Sequence, residues 1–320
     1  MSDAMIARAA PRASRRADTL GLVVATIALA GLGIALPALG VSGYVRTLVY
    51  YGAFYLALGQ AWNIMSGLTG YLSFAHGALS GIGAYGLVIA MNADWPMGAS
   101  LAAAGGAAVL ASLIIGATSL RLRGAAFTFA TLFFQELMLL AVRKLPFAGG
   151  PGGLVLEQIL PEWFAYVGMI LLAAVATIGF ALLRRSRLGI RVLAIKGDED
   201  AAASIGIAAT RLKLVLFCVS ALVAGLAGAV HALFTASLYP DVAFSVDLSL
   251  IALAVPLIGG VATASGPALG ALLYVGLREV LQLFAPSAHL TILGLLLLAV
   301  VLFMRDGIGP TLARLLRRAR

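Results

Sequence analysis

The sequence predicts an all-α, polytopic membrane protein of about ten transmembrane helices, with one or two broken or re-entrant segments. Three observations carry this prediction. Of the 320 residues, 62% are hydrophobic and only 11% are charged, with a mean hydropathy of +1.04. A soluble domain carries roughly 25% charged residues because its surface faces water, so a chain this poor in charge needs lipid as its solvent. Ten apolar runs follow one another at about 20–39, 48–65, 77–91, 97–119, 124–142, 164–183, 214–233, 248–260, 267–284 and 290–304, most of them near the roughly 20 residues that a spanning helix needs. Finally, the positive charges gather between these runs rather than within them.

Taken in order, residues 1–19 hold Arg8, Arg12, Arg15 and Arg16 ahead of an uncharged run of 20 residues. That run is longer than the roughly 7–15 residues of a signal-peptide core, so an uncleaved first span behind a basic cytoplasmic N-terminus is expected. The third and eighth runs are short for a span and are the candidates for broken or re-entrant segments. The transmembrane domain then covers 20–304, interrupted by a long polar loop at 184–213 and followed by a basic cytoplasmic tail at 305–320. With ten spans and both termini in the cytoplasm, 18 of the 22 Lys and Arg residues fall in 1–19, 66–76, 120–123, 184–213, 261–266 and 305–320. Only Arg46, Arg143, Lys144 and Arg278 fall elsewhere. The reversed orientation would place most positive charge on the wrong side of the membrane. The net charge of +9 therefore reports cytoplasmic loops rather than nucleic-acid binding. A single cysteine, Cys218, excludes an internal disulfide and a cysteine-based metal site.

Three segments interrupt the apolar pattern. In the 184–213 loop, Asp198-Glu199-Asp200-Ala201-Ala202-Ala203-Ser204-Ile205-Gly206 reads as a short helix. Acids suit its positive start and Gly206 its C-terminal cap. The small residues Ala201–Ala203 would let another protein approach closely, although a solvated loop held to headgroups by arginines has the same composition. From Asn63 to Gly86, small and hydroxylated residues (Thr69, Gly70, Ser73 and His76 among them) break an apolar stretch. Such irregular backbone is tolerated in a membrane only against protein or a water-filled cavity, and broken helices often aim polar backbone at substrate. Within this stretch Gly81-Ile82-Gly83-Ala84-Tyr85-Gly86 formally matches a dinucleotide-binding pattern. It has no preceding strand, so close helix packing is the better reading. The third segment is Gly259 to Ala271, where Pro267 suits a first helical turn and Gly266-x-x-x-Gly270 permits close approach. It precedes the ninth run as the second segment precedes the third, and is expected to be its structural counterpart.

Ionisable residues inside spans are rare and by default functional. Glu136 lies about 18 Å along the fifth run, just past its midpoint, where an interhelical hydrogen bond or a protonated acid is the structural alternative. Arg278 and Glu279 lie nearer the outer face, within reach of the interface. Packing or hydrogen bonding are the ordinary roles of His76 and His231.

Asp200-Ala201-Ala202-x-x-x-Gly206 resembles the Glu-Ala-Ala-x-x-x-Gly loop of ABC importer permeases, with Asp in place of Glu. The stretch from Gly189 to Ala232, through Arg211, Lys213 and Ser220-Ala221, resembles the LivM type of branched-chain amino acid permease. The Asn63–Gly86 stretch is similar to that family's second-segment pattern, departing at Tyr71, where Gln is usual, and at Ala75, where Gly is usual. Gly259–Ala271 resembles its third. Gly149-Gly150-Pro151-Gly152-Gly153-Leu154 resembles its outer glycine loop, with Ala148 replacing Thr. The resemblance covers about residues 45–310.

It implies a permease subunit in the cell inner membrane, one of two that together form the path, the other being LivH-like. Two ABC ATPase subunits and a periplasmic substrate-binding protein complete the importer. Asp198, Glu199, Asp200, Ala201, Ala202, Ala203 and Gly206 would form the coupling helix that docks on an ATPase. Asn63, Thr69, Gly70, Ser73, His76 and Glu136 are the candidate path residues. Permeases for urea, short amides or other small solutes share these motifs. The sequence has no Walker G-x-x-x-x-G-K-[ST], no HExxH and no Cys/His metal spacing. No cofactor or metal is expected, and ATP hydrolysis would occur on a separate chain. A self-contained secondary transporter would leave the 184–213 loop without a purpose, and a membrane-embedded enzyme would need a nucleophile or paired acids.

Overall fold

A computed structural model describes residues 12–158, 160–284 and 294–295. Apart from 294–295, the tenth apolar run lies outside the described residues, as do the 305–320 tail and the start of the basic N-terminus. The described chain is helical and polytopic. The helices are α1 (Arg12–Ala35), α2 (Gly43–Trp62), α3 (His76–Asn92), α4 (Met97–Ser119), α5 (Ala125–Lys144), α6 (Glu162–Arg185), α7 (Arg187–Gly197), α8 (Glu199–Ser204), α9 (Ala209–Thr235), α10 (Pro240–Ala243), α11 (Val246–Gly259) and α12 (Gly266–Phe284). Two short strands, β1 (Leu154–Val155) and β2 (Ser237–Leu238), pair antiparallel. Among the described residues, six segments are long and apolar enough to cross a membrane: α4, α5, α6, α9, Pro240–Gly259 and α12. α3 and α11, with 17 and 14 residues, reach only about 25 and 21 Å, short of the roughly 30 Å hydrocarbon core.

α3 forms the centre, packed between α4 and α9. Thirteen of its 17 residues are buried, as expected of a helix apolar on every side. The sequence places glycines where neighbours come closest. A Cβ on Gly83 would lie 2.0 Å from the Gly225 carbonyl oxygen of α9, one on Gly81 2.7 Å from the Ala243 oxygen of α10, and one on Gly86 3.3 Å from the Ala104 Cα of α4. The G-x-G-x-x-G run is therefore a packing device that faces three helices at once. α11 and α12 meet in the same way, since a Cβ on Gly270 would lie 1.8 Å from the Val255 oxygen. The periphery is apolar: Leu20, Val24, Leu29, Phe129, Phe133 and Leu272 are exposed, as in a protein whose outer solvent is lipid.

The connections sort to two ends. At one end Asn92, Asp94, the 154–158 stretch, β2 and Asp241 interconnect. Asn92 Nδ2 donates to the Val155 carbonyl (2.9 Å), Leu156 N–H to the Ala236 carbonyl (2.8 Å), and Arg143 pairs with Asp241. Gly149 and Gly153, both at positive φ, let this loop turn tightly against β2, where a Cβ on Gly153 would collide with the Leu238 oxygen at 2.0 Å. At the other end 66–73, Arg123, α7, α8 and 260–264 come together. The two groups are those that successive membrane crossings would separate.

Candidate functional site

The chain between α2 and α3 is not a simple loop. α2 ends in a wide π-helical turn, Asn63–Gly67, of the kind that often marks functional positions. Residues 71–74 then run back into the bundle without helical hydrogen bonds. Backbone groups left unpaired in this setting cost several kcal/mol in a membrane, and here neighbouring side chains satisfy them one by one. Trp62 Nε1–H donates to the Ser73 carbonyl (3.0 Å), and the Ser73 N–H donates to Ser66 Oγ (3.2 Å). Thr128 Oγ1 donates to the Leu72 carbonyl (3.1 Å), and Thr131 Oγ1 accepts from Phe74 N–H (3.0 Å). Ser249 Oγ of α11 donates to the Phe74 carbonyl (2.6 Å) and accepts from Gly77 N–H (2.9 Å). Gln135 Oε1 accepts from Ala78 N–H (2.5 Å), while its Nε2 donates to the Phe244 carbonyl (2.6 Å) just ahead of α11. The N-termini of α3 and α11 therefore meet inside the bundle around one buried glutamine.

The α11–α12 connection joins the same site. Asn63 Oδ1 accepts from Ala262 N–H (2.8 Å), its Nδ2 donates to the Thr263 carbonyl (2.9 Å), and Gln60 Nε2 donates to the Ala264 carbonyl (2.7 Å). A Cβ on Gly67 would overlap Asn63 Oδ1 at 2.1 Å. The second and third sequence segments are thus direct partners, clasped by two side chains one helical turn apart.

Of the expected path residues, Asn63, Thr69, Ser73 and His76 are buried together here. Thr69 Oγ1 donates to the Met65 carbonyl (2.6 Å). His76 opens α3 beside the backbone of Ala61 and Ser73, without hydrogen-bond geometry to either. Gly70 adopts φ +80°, a left-handed conformation that glycine takes without strain, and is exposed at the end of the break. Glu136 lies elsewhere. It is exposed on the outward face of α5, and its neighbour Gln135 occupies the interior. The 100° step between adjacent helical residues puts these two neighbours on opposite sides of the wall. Sequence reading missed Thr128, Thr131 and Gln135. Their i, i+3, i+7 spacing on an otherwise apolar run was the available signal.

The 184–213 segment folds as an elbow of α7 and α8. Ser186 caps α7 by accepting from Gly189 N–H (3.2 Å). Asp198 caps α8 by accepting from the N–H groups of Asp200 and Ala201 (3.0 Å each). Glu199 and Asp200 occupy the first turn, where the helix dipole favours anions. Gly206, at φ +83°, closes the helix: its N–H donates to the Ala203 carbonyl and that of Ile207 to the Ala202 carbonyl, the paired bonds of a Schellman ending. Ala201 and Ala203 face outward with Ile205, which is 74% exposed. Ala202 does not. It is buried against Ile195, Ala209, Ile207 and Leu212, so only part of the alanine run is available to another protein.

Charge ties the elbow to the bundle. Arg123 pairs with Asp200 through two bonds of 2.8 and 3.1 Å, which holds the Asp200 carboxyl below its usual range. Lys213, 1% exposed, donates to Glu199 Oε1 (2.8 Å) and stands 4.1 Å above the Tyr71 ring. The Tyr71 hydroxyl donates to Glu199 Oε2. Partial burial alone would raise the Glu199 carboxyl, but the hydrogen bonds from Lys213 and Tyr71 outweigh it and hold the group ionised below its ordinary range. Burial, with the same carboxylate beside it, pushes the Tyr71 hydroxyl up to about 12. Among the described residues no cluster of His, Cys, Asp and Glu has the arrangement of a metal site.

These features can be set beside known proteins. The LivM permease protein of the high-affinity branched-chain amino acid transport system of Salmonella typhimurium, and that of Escherichia coli, are each 29% identical over 281 residues. Each alignment covers 77% of this chain. The chain spans 66% of the length of these relatives. The L-arabinose ABC transporter permease protein AraH of Azospirillum brasilense is 32% identical over 157 residues, covering 47% of this chain and 44% of its own. No solved structure matches the chain. Residues 44–301 match the model of one family, a stretch that includes the α2–α3 break, the elbow and the α11–α12 clasp, and the chain belongs to that family, the permease components of branched-chain amino acid transport systems.

Proposed function

We propose that this chain is the membrane-spanning permease subunit of an ATP-binding-cassette importer that carries branched-chain, hydrophobic amino acids across the cell inner membrane. The observation that carries the reading is the elbow. It is a fully capped, ion-paired helix whose Ala201, Ala203 and Ile205 face outward at the end of the molecule where the breaks also emerge. Two ATPase subunits on separate chains, a second LivH-like permease and a periplasmic substrate-binding protein complete the assembly. Asp198, Glu199, Asp200, Ala201, Ala202, Ala203 and Gly206 build the coupling helix, with Ala202 inside it and Ala203 on its contact face. Asn63, Thr69, Gly70, Ser73 and His76 belong to the path, and Glu136, on the outer face of α5, belongs to the part of it that the second permease completes. Ten spans with both termini cytoplasmic place the elbow next to the ATPase. The LivM relatives favour amino acids as substrate. The relatives named for arabinose align with less than half of the chain and support a sugar less well.

Ala203→Arg sets a bulky cation on the docking face while leaving the Ala202 packing and both caps intact. Co-purification of the ATPase with the permease is expected to fall at least tenfold at normal permease yield. Ala202→Arg would instead unfold the elbow and report nothing about docking. Undiminished co-purification with Ala203→Arg would remove α8 from the interface.

Orientation is tested by single cysteines in a Cys218→Ser background. An impermeant thiol reagent applied to sealed cells is expected to label cysteine at Glu157 or Asp241 and to spare cysteine at Ser204. Labelling of Ser204 from outside would invert the topology.

A further inference from the structure

The elbow grips the α2–α3 break at two points, and neither uses the outward face of α8. Lys196 Nζ of α7 donates to the Gly67 carbonyl at the end of the π turn (2.9 Å), and its aliphatic stem lies over Gly70, where a Cβ would meet Lys196 Cγ at 3.3 Å. Four residues beyond Gly67, the Tyr71 hydroxyl donates to Glu199 in the first turn of α8. The same carboxylate accepts from Lys213 near the start of α9, and the Tyr71 ring lies under the Lys213 ammonium, 4.1 Å from its centroid, and packs T-shaped with Phe127 of α5, the ring centroids 5.4 Å apart.

We propose that Tyr71 is the positioning residue that passes displacement of α8 to the non-helical stretch 71–74, acting through its hydroxyl on Glu199. The proposal rests on the coupling role given to α8 above. A buried ammonium stripped of its counter-ion is strongly unfavourable, so Lys213 and Glu199 move together, and Tyr71 is held to both, by a charge-assisted hydrogen bond and a cation–π contact. Residues 71–74 have no helical ladder to resist a pull. Side-chain hydrogen bonds hold them one at a time, and Tyr71 is the first of them. The far end of the same stretch contains Ser73 and leads into His76, so a shift at Tyr71 arrives at the path residues directly.

The test is Tyr71→Phe in the complete transporter, reconstituted in vesicles with its ATPase and binding protein. The ring contacts with Lys213 and Phe127 survive, and only the hydroxyl bond is lost. ATPase co-purification is expected to be unchanged, while substrate imported per ATP hydrolysed falls about tenfold, the scale of one charge-assisted hydrogen bond. Glu199→Gln combined with Tyr71→Phe should lower this ratio no further than the stronger single change, because both act through one bond. An unchanged ratio overturns the proposal, including the case in which import and hydrolysis decline together with protein yield, as does full additivity in the double variant. Failure of the unaltered chain to bind the ATPase would instead overturn the coupling reading itself, and this proposal with it.

Discussion

Gly83→Val is expected to leave almost no folded permease. A Cβ at that position would stand 2.0 Å from the Gly225 carbonyl oxygen, and the facing Gly228 is equally constrained, with its Cβ 1.9 Å from the Ser80 oxygen. The obstructing atoms are backbone on both sides, so no side chain can swing away, and α3 would have to separate from α9 along its length. Overpacking in a core costs about 1–3 kcal/mol when side chains can adjust, and this site lies at or beyond the upper end. The measurement is the yield of monodisperse protein in detergent and its thermal midpoint. Gly98→Ala, with nothing within 4 Å of the new Cβ, should match the unaltered protein. Normal yield of Gly83→Val would mean that α3 and α9 are not packed as described.

Gln135→Leu is expected to reduce uptake at least tenfold and to lower the thermal midpoint. The substitution keeps the volume but removes the acceptor of Ala78 N–H, which lies in the first turn of α3 and has no partner within its own helix. It also removes the donor to the Phe244 carbonyl. Each buried group left unpaired costs about 1–3 kcal/mol, so the two together approach 4 kcal/mol, concentrated where α3 and α11 begin. Gln135→Glu, which retains the acceptor and loses the donor, should fall between the two. Glu136→Gln on the exposed side of the same helix should leave the midpoint unchanged and slow uptake. Unchanged uptake would place Glu136 outside the path. Equal stability of Gln135→Leu and the unaltered chain would show that the two helix starts do not depend on this residue.

Hydropathy and glycine placement were legible without any coordinates. The nine apolar runs that fall among the described residues all coincide with helices, because a bilayer allows almost no other backbone arrangement for such runs. The Asp198 and Gly206 caps were equally legible, since capping depends on residues within three or four positions of one another. The G-x-G-x-x-G run read correctly as packing because its context, an apolar span with no preceding strand, excluded the alternative.

What the sequence by itself determined is therefore local or set by the solvent: which stretches are helical and apolar, and how the elbow is capped. Only the tertiary structure decided which neighbour each break would find. That Asn63 would clasp residues 262–263, that Ser249 would reach Phe74 across 175 positions, and that Gln135 rather than Glu136 would face inward depend on the azimuth of each helix about its axis. One residue of helical step is 100°, the difference between the interior and the outer surface. In a span where nearly every side chain is apolar, hydrophobicity barely distinguishes those two faces. The azimuth is set instead by where glycines let backbones touch and where an unpaired backbone group must find a partner.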